Sequence, residues 1–154
     1  TGQVSWPFLL LAGAEKSGKS YAAAAFSASD LIGRTFWIEV GESDADMYGS
    51  LPGARYEIVE HDGTMASILQ AVQDASTEPP RAGKPNCIVV DSITNIWDML
   101  IGEQEAVTIR RGKTSMTIDQ WNTAKRLNLL KLRQKLAIVS LVGRAAVHRP
   151  NSVP

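Results

Sequence analysis

Gly13-Ala14-Glu15-Lys16-Ser17-Gly18-Lys19-Ser20 has the residue types and the spacing to hold a polyphosphate. It fits G-x-x-x-x-G-K-[ST], the P-loop or Walker A pattern. Backbone N–H groups of such a loop, and the positive end of the helix after it, converge on one anion. Gly13 and Gly18 permit backbone conformations that a Cβ disfavours. Lys19 is placed to reach the β- and γ-phosphates of a nucleoside triphosphate, and the Ser20 hydroxyl to ligate Mg²⁺. The phosphate-binding set runs Gly13, Ala14, Glu15, Lys16, Ser17, Gly18, Lys19, Ser20 and Tyr21. Within it Lys16 is either a further phosphate contact or a solvated side chain. A Gly/Ser turn before an Ala-rich helix would explain the glycines, but not Lys19-Ser20 at that spacing.

The same chemistry asks for acids. Cys87-Ile88-Val89-Val90-Asp91 is an apolar run of strand length ending in a carboxylate. Asp91 suits a Mg²⁺ role, usually through water. The alternative is a strand-end Asp that caps the next helix, a task Ser92 could also do. Hydrolysis needs a group that orients or deprotonates water. Glu42 and Glu39 are the candidates, at the end of a second apolar run. Glu42 is preferred because it follows Gly41, where the chain leaves the sheet. Glu39 could instead support the metal shell, and Glu15 is a weaker candidate base. Arg144 follows a last apolar run, Ile138 to Gly143. It is either a cation near the γ-phosphate or a surface arginine. His61 and His148 are isolated, and no Cys/His set has metal-ligand spacing.

The elements that position these residues follow from the pattern. Phe8 to Ala12 reads as a strand before the loop, and Tyr21 to Phe26 as the helix after it, with Gly33 as its stop. Arg34 to Val40, Tyr56 to Val59, Cys87 to Asp91 and Ala137 to Val142 read as further strands. Thr64 predicts a helix cap ahead of Met65, Ile68, Leu69 and Val72. Ile93 to Leu100 reads as helix and Gly102 to Ser115 as a loop. Thr117 to Gln120 fits a capping box that opens a basic helix. Strands alternating with helices predict an α/β fold, a mostly parallel sheet with helices on both faces. Such sheets bind ligands at the carboxyl ends of their strands.

The 154 residues suit one domain with a core. No run of 18 apolar residues appears, so no membrane helix is expected, and no signal peptide is visible. The single cysteine, Cys87, cannot form an internal disulfide, which agrees with a cytoplasmic setting. Net charge is zero but uneven. Residues 1–109 carry 15 acids and 6 bases; residues 110–154 carry 10 bases and Asp119 alone as an acid. This points either to an anionic partner at one face or to a solvated basic helix. Arg110, Arg111 and Lys113 are the candidate nucleic-acid contacts.

With these motifs in place, the chain resembles the RecA-like P-loop ATPases. It is similar in particular to small phage-encoded ATP-binding proteins of RecA-like or AAA type, linked to single-strand annealing and recombination. The RecA likeness rests on the loop and on Val90-Asp91-Ser92; the phage-protein likeness rests on Ile38-Glu39-Val40-Gly41-Glu42-Ser43-x-Ala45-Asp46-x-Tyr48, on Pro52 to Gly63, on Val90-Asp91-Ser92 and on Trp121-Asn122-x-Ala124-Lys125. The latter spans nearly all of residues 8–145. Length and composition suggest one core over residues 1–148, which the resemblance would make an ATPase core, and Arg149 to Pro154 reads as an unstructured tail. The resemblance implies ATP with Mg²⁺, hydrolysis coupled to single-stranded DNA, and assembly into a ring or filament or work with a recombination partner. Gly143-Arg144 departs from the Asn-Gln pair of RecA, so γ-phosphate sensing does not carry over. Two other classes compete: a small-molecule kinase with the Arg110 to Lys113 segment as lid, and an ATP-binding assembly switch with little turnover.

Overall fold

Three apolar, β-branched or aromatic segments build the sheet. They are β1 (Thr35–Glu39), β2 (Glu57–Ile58) and β3 (Cys87–Asp91). A computed structural model describes residues 7, 9–112, 117–119, 121, 122 and 126 of the chain. In it the strands pair in the order β2-β1-β3, all parallel. The register runs without interruption from Thr35 opposite Cys87 to Glu39 opposite Asp91. β1 and β3 therefore end level, with two carboxylates as neighbours.

Period-two alternation sends successive side chains to opposite faces. On one face Ile38 and Val40 pack against α2 (Met65–Thr77) and α3 (Ile93–Arg110), through Ile68, Ala71, Val72, Ile96 and Leu100. On the other face Trp37 packs against Ala24 of α1 (Lys19–Ser27) and Ala45 of a 3-10 helix, Ala45–Ser50. Tyr56 lies tilted against the Trp37 ring with centroids 5.0 Å apart. Trp37 is 1 % exposed, so truncating it to Ala would cost about 3–5 kcal/mol. The chain is thus α/β with helices on both faces of a parallel sheet, as expected. No described helix is long and apolar enough to cross a membrane.

Local chemistry sets the helix ends. Thr64 caps α2 by accepting from the Ser67 N–H at 3.2 Å. Asp62 holds Thr64 in turn, accepting from its N–H at 2.9 Å and its hydroxyl at 2.7 Å. Those bonds, the backbone one foremost, keep the Asp62 carboxyl below its ordinary range. α2 stops at Glu78, where Pro79 follows and disfavours helical backbone. α1 ends at Ser27, with Ala28 as its C-cap, and not at Gly33. Arg55 accounts for the early stop. Its Nε donates to the Ser27 carbonyl at 3.2 Å and its Nη2 to the Ser29 carbonyl at 2.9 Å. A cation there satisfies orphan carbonyls and suits the helix dipole. Gly33 serves a close approach instead: a Cβ on it would sit 2.8 Å from the Lys84 carbonyl oxygen.

Two expected elements differ. Residues 9–12 form no strand, and Leu9, Leu10 and Leu11 are 71 %, 69 % and 53 % exposed. An apolar run becomes a strand only where a neighbour offers ladder partners, and none of the described strands pairs with this one. The second difference is Gly102 to Arg110, which continues α3 and is not a loop. Glu103, Gln104, Glu105 and Ala106 are good helix formers, and one glycine costs only about 1 kcal/mol. Thr108 is buried on this turn and donates to the Gln104 carbonyl at 2.9 Å. The strand expected at Ala137 to Val142, Arg144, Lys113, the tail at 149–154 and most of the basic helix lie outside the described residues. Of the capping box, the Trp121 N–H donates to the Thr117 carbonyl at 2.9 Å.

Candidate functional site

The loop between residues 13 and 18 is shaped by its glycines. Gly18 takes a left-handed backbone, φ 87°, and stands as the N-cap of α1 with no side-chain cap. The first intrahelical bond is Ala22 N–H to the Gly18 carbonyl, 2.9 Å. The N–H groups of Lys19, Ser20 and Tyr21 therefore lack intrahelical acceptors and point out of the helix start. Lys16 is also left-handed, φ 60°. A Cβ on Gly13 would lie 2.6 Å from Ser17 Oγ. The loop thus turns tightly, with its next bond from the Ser17 N–H to the Ala14 carbonyl at 3.2 Å.

Lys19 closes this loop on itself. Its Nζ donates to the carbonyl oxygens of Gly13 at 3.0 Å and Ala14 at 2.8 Å, and to Ser17 Oγ at 3.4 Å. The ammonium sits among loop oxygens. Glu15 and Tyr21 are exposed beside it.

Ser20 and Asp91 meet. The Ser20 hydroxyl donates to Asp91 Oδ2 at 2.6 Å, and both residues are half-buried. Alternation along β3 explains the encounter. Asp91 shares a face with Val89, the face that packs toward α1. Ser92 stands at the N-cap position of α3 with no side-chain cap bond, and the Asp91 carboxylate, one residue earlier, takes the Ser20 hydroxyl. The Asp91–Ser92 peptide is cis.

The two glutamates divide. Glu39 Oε1 accepts from the Ala45 N–H at 2.7 Å, so its carboxylate starts the 3-10 helix. Its carbonyl lies 2.5 Å from His61 Nε2, which ties in the turn before α2. The Tyr56 hydroxyl donates to the Ala45 carbonyl. Burial, with the negative charges of Asp46 and Glu39 adding to it, raises the Tyr56 phenol above its ordinary value. Glu42 is exposed and takes part in no hydrogen bond or ion pair among the described residues. Gly41 throws it outward: φ there is 76°, and a Cβ would meet the Asn95 amide carbon at 2.8 Å. Asn95 Nδ2 donates to the Val40 carbonyl at 2.5 Å and to Ser92 Oγ at 3.1 Å. Asn95 pins the start of α3 to the end of β1. Sequence reasoning misses it, since nothing in the local pattern pairs residue 95 with residue 40. His61, isolated in the sequence, is likewise joined to β1 only by the fold.

Ser20 and Asp91 offer hard oxygen donors beside open backbone amides, a donor set that fits Mg²⁺. Mg²⁺ takes one or two carboxylates and completes its shell with phosphates and water. No group of three or more His, Cys, Asp or Glu suited to a metal occurs among the described residues. Lys19, Ser20 and Asp91 line one end of a cavity of about 380 Å³, whose other walls are mostly apolar. Cys87, at its far end, is half-buried, and burial raises its thiol above the ordinary value.

The cationic candidates lie elsewhere. Arg110 is the last residue of α3 and Arg111 its C-cap; both are exposed. An α-helix rises 1.5 Å per residue, so Arg110 stands about 26 Å along the axis from Ile93. Comparison of the chain with protein-family models, curated proteins and solved structures finds no match.

Proposed function

We propose that this chain is a Mg²⁺-dependent ATPase of the RecA-like P-loop type, acting with single-stranded DNA in phage recombination or replication. The observation that carries the nucleotide part is the Ser20–Asp91 hydrogen bond beside the helix start. A hydroxyl from the loop motif and a strand-end carboxylate share one proton-bridged position, where a cation would take both oxygens. Bound there, Mg²⁺ would neutralise charge on the β- and γ-phosphates.

The residues then have separate tasks. The amides of the loop and of α1's first turn hold phosphate oxygens. Lys19 exchanges two carbonyls for phosphate oxygens and gains charge-assisted bonds. Glu42, outside the bond network, orients the attacking water. Glu39 keeps the neighbouring turn in shape. ATP as the nucleotide, and DNA as the partner, rest on the resemblance and on the basic second part of the chain. Arg110 and Arg111, remote from the phosphate loop, suit a DNA-tracking surface better than a kinase lid.

Lys19→Ala tests the reading. Loss of hydrogen bonds to a charged group costs about 1.5–3 kcal/mol, so nucleotide affinity should fall at least tenfold. Turnover should drop to background, with the circular dichroism unchanged. The parent should hydrolyse ATP faster when single-stranded DNA is added. Equal turnover in folded Lys19→Ala protein sinks the proposal. DNA-independent turnover removes its DNA half, and tight binding with no turnover in the parent leaves an assembly switch.

A further inference from the structure

Glu42 stands between two anchored points. Upstream, Val40 is bonded to the end of β3. Its N–H donates to the Asp91 carbonyl at 2.5 Å, and its carbonyl accepts from the Ser92 N–H at 3.4 Å. Downstream, the Ala45 N–H is held by Glu39 Oε1 at 2.7 Å. Gly41, Glu42 and Ser43 between them are exposed and take part in no hydrogen bond among the described residues.

The upstream anchor is completed by a side chain. Asn95, half-buried in the first turn of α3, donates from Nδ2 to the Val40 carbonyl at 2.5 Å and to Ser92 Oγ at 3.1 Å. One amide nitrogen thus grips the residue after Asp91 and the residue two before Glu42. The Asn95 side chain also walls the turn. A Cβ on Gly41 would lie 2.8 Å from Asn95 Cγ and 2.9 Å from Nδ2.

Helix formation does not ask for this residue. A helix start has orphan N–H groups and is served by acceptors, whereas Asn95 spends a donor off the helix. Asparagine is also a poorer helix former than alanine or leucine. The bond therefore serves β1 and the turn after it.

We infer that Asn95 is a positioning residue for Glu42. It locks the Val40–Gly41 turn to the residue that follows Asp91. This sets where a water oriented by Glu42 stands relative to a cation held by Ser20 and Asp91. Asp91 is fixed by its strand pairing, but Glu42 lies beyond the end of β1. Slack in the turn therefore falls on Glu42, and a misplacement of about 1 Å costs about a hundredfold in rate. The inference rests on the ATPase reading above and adds to it the residue that holds its two acids in register.

ATP turnover and Mg²⁺–ATP binding by the parent, Asn95→Ala, Glu42→Gln and the double variant test it. Asn95→Ala should lower kcat about a hundredfold and leave Mg²⁺–ATP affinity unchanged. In the Glu42→Gln background the same change should lower kcat no further, because the group it positions is already gone. Should Asn95→Ala not fold, Asn95→Leu, of similar size and without the donor, replaces it in the same cycle. Parent-like kcat in the folded variant overturns the positioning role alone. Equal losses with and without the Glu42 carboxylate also overturn it, as does a loss of Mg²⁺–ATP affinity that matches the loss of kcat. A parent with no ATP turnover overturns the ATPase reading itself, and this role falls with it.

Discussion

The Ser20 hydroxyl donates to Asp91 Oδ2 at 2.6 Å, joining residues 71 positions apart in the chain. It links the first turn of α1 to the last residue of β3. Two separate motifs become one oxygen-rich corner at the start of α1. The pairing sets what each substitution should do.

Asp91→Asn should weaken nucleotide binding in the presence of Mg²⁺ and leave Mg²⁺-free binding nearly unchanged. Ser20→Ala should act in the same direction, because it removes the other oxygen. Titration calorimetry with and without Mg²⁺ checks both. A metal-independent loss of affinity in Asp91→Asn would show a structural role only.

Glu42→Gln and Glu39→Gln should separate chemistry from structure. Glu42 is exposed and outside the bond network, so its amide should keep fold and binding and lose turnover. Glu39 accepts from the Ala45 N–H, so Glu39→Gln should lower stability by about 1 kcal/mol, the scale of a hydrogen bond. Denaturant titration and single-turnover kinetics read the two effects. An active Glu42→Gln beside a trapped Glu39→Gln would reverse the roles.

Replacing Arg110, Arg111 and Lys113 together with Ala should weaken single-stranded DNA binding and flatten its salt dependence. Each DNA phosphate that the protein no longer neutralises takes about 0.7 off the slope of log K against log salt. ATP affinity without DNA should not move, given the 26 Å or so of helix between these arginines and the site. Binding equal to the parent across a salt series would leave them as solvated side chains.

Arg34 gathers two acids at the other end of the sheet, with Glu57 and Glu78 each at 2.7 Å. The hydrogen bond from Arg34 holds the Glu57 carboxyl below its ordinary value. A depressed native value adds stability above the ordinary glutamate pKa of about 4.5, and that stability is lost as pH falls through the native value. Solvent screening of exposed partners keeps the contribution of the pair small. Glu57→Gln should therefore lower stability slightly at pH 7 and hardly at all at pH 3. Urea midpoints at the two pH values test this, and equal losses at both would exclude the ion pair as the cause.

Much of this is legible in the sequence, because local patterns encode local structure. The tight glycine turn before α1, the continuous apolar runs of β1 and β3, Asp91 at the end of the second, and Thr64 as a cap all follow from residue types within a few positions of one another. The tertiary structure decides what depends on distant partners. The apolar residues 9–12 look like a strand, yet a strand needs a ladder, and periodicity does not say whether a neighbour is present. Gly102 looks like the start of a loop, yet a buried Thr108 and good helix formers carry α3 on to Arg110. Glu39 and Glu42 are two similar acids in the sequence. Only packing, which brings the Ala45 N–H to one carboxylate and turns Gly41 away against Asn95, gives the first a structural bond and leaves the second outside the network.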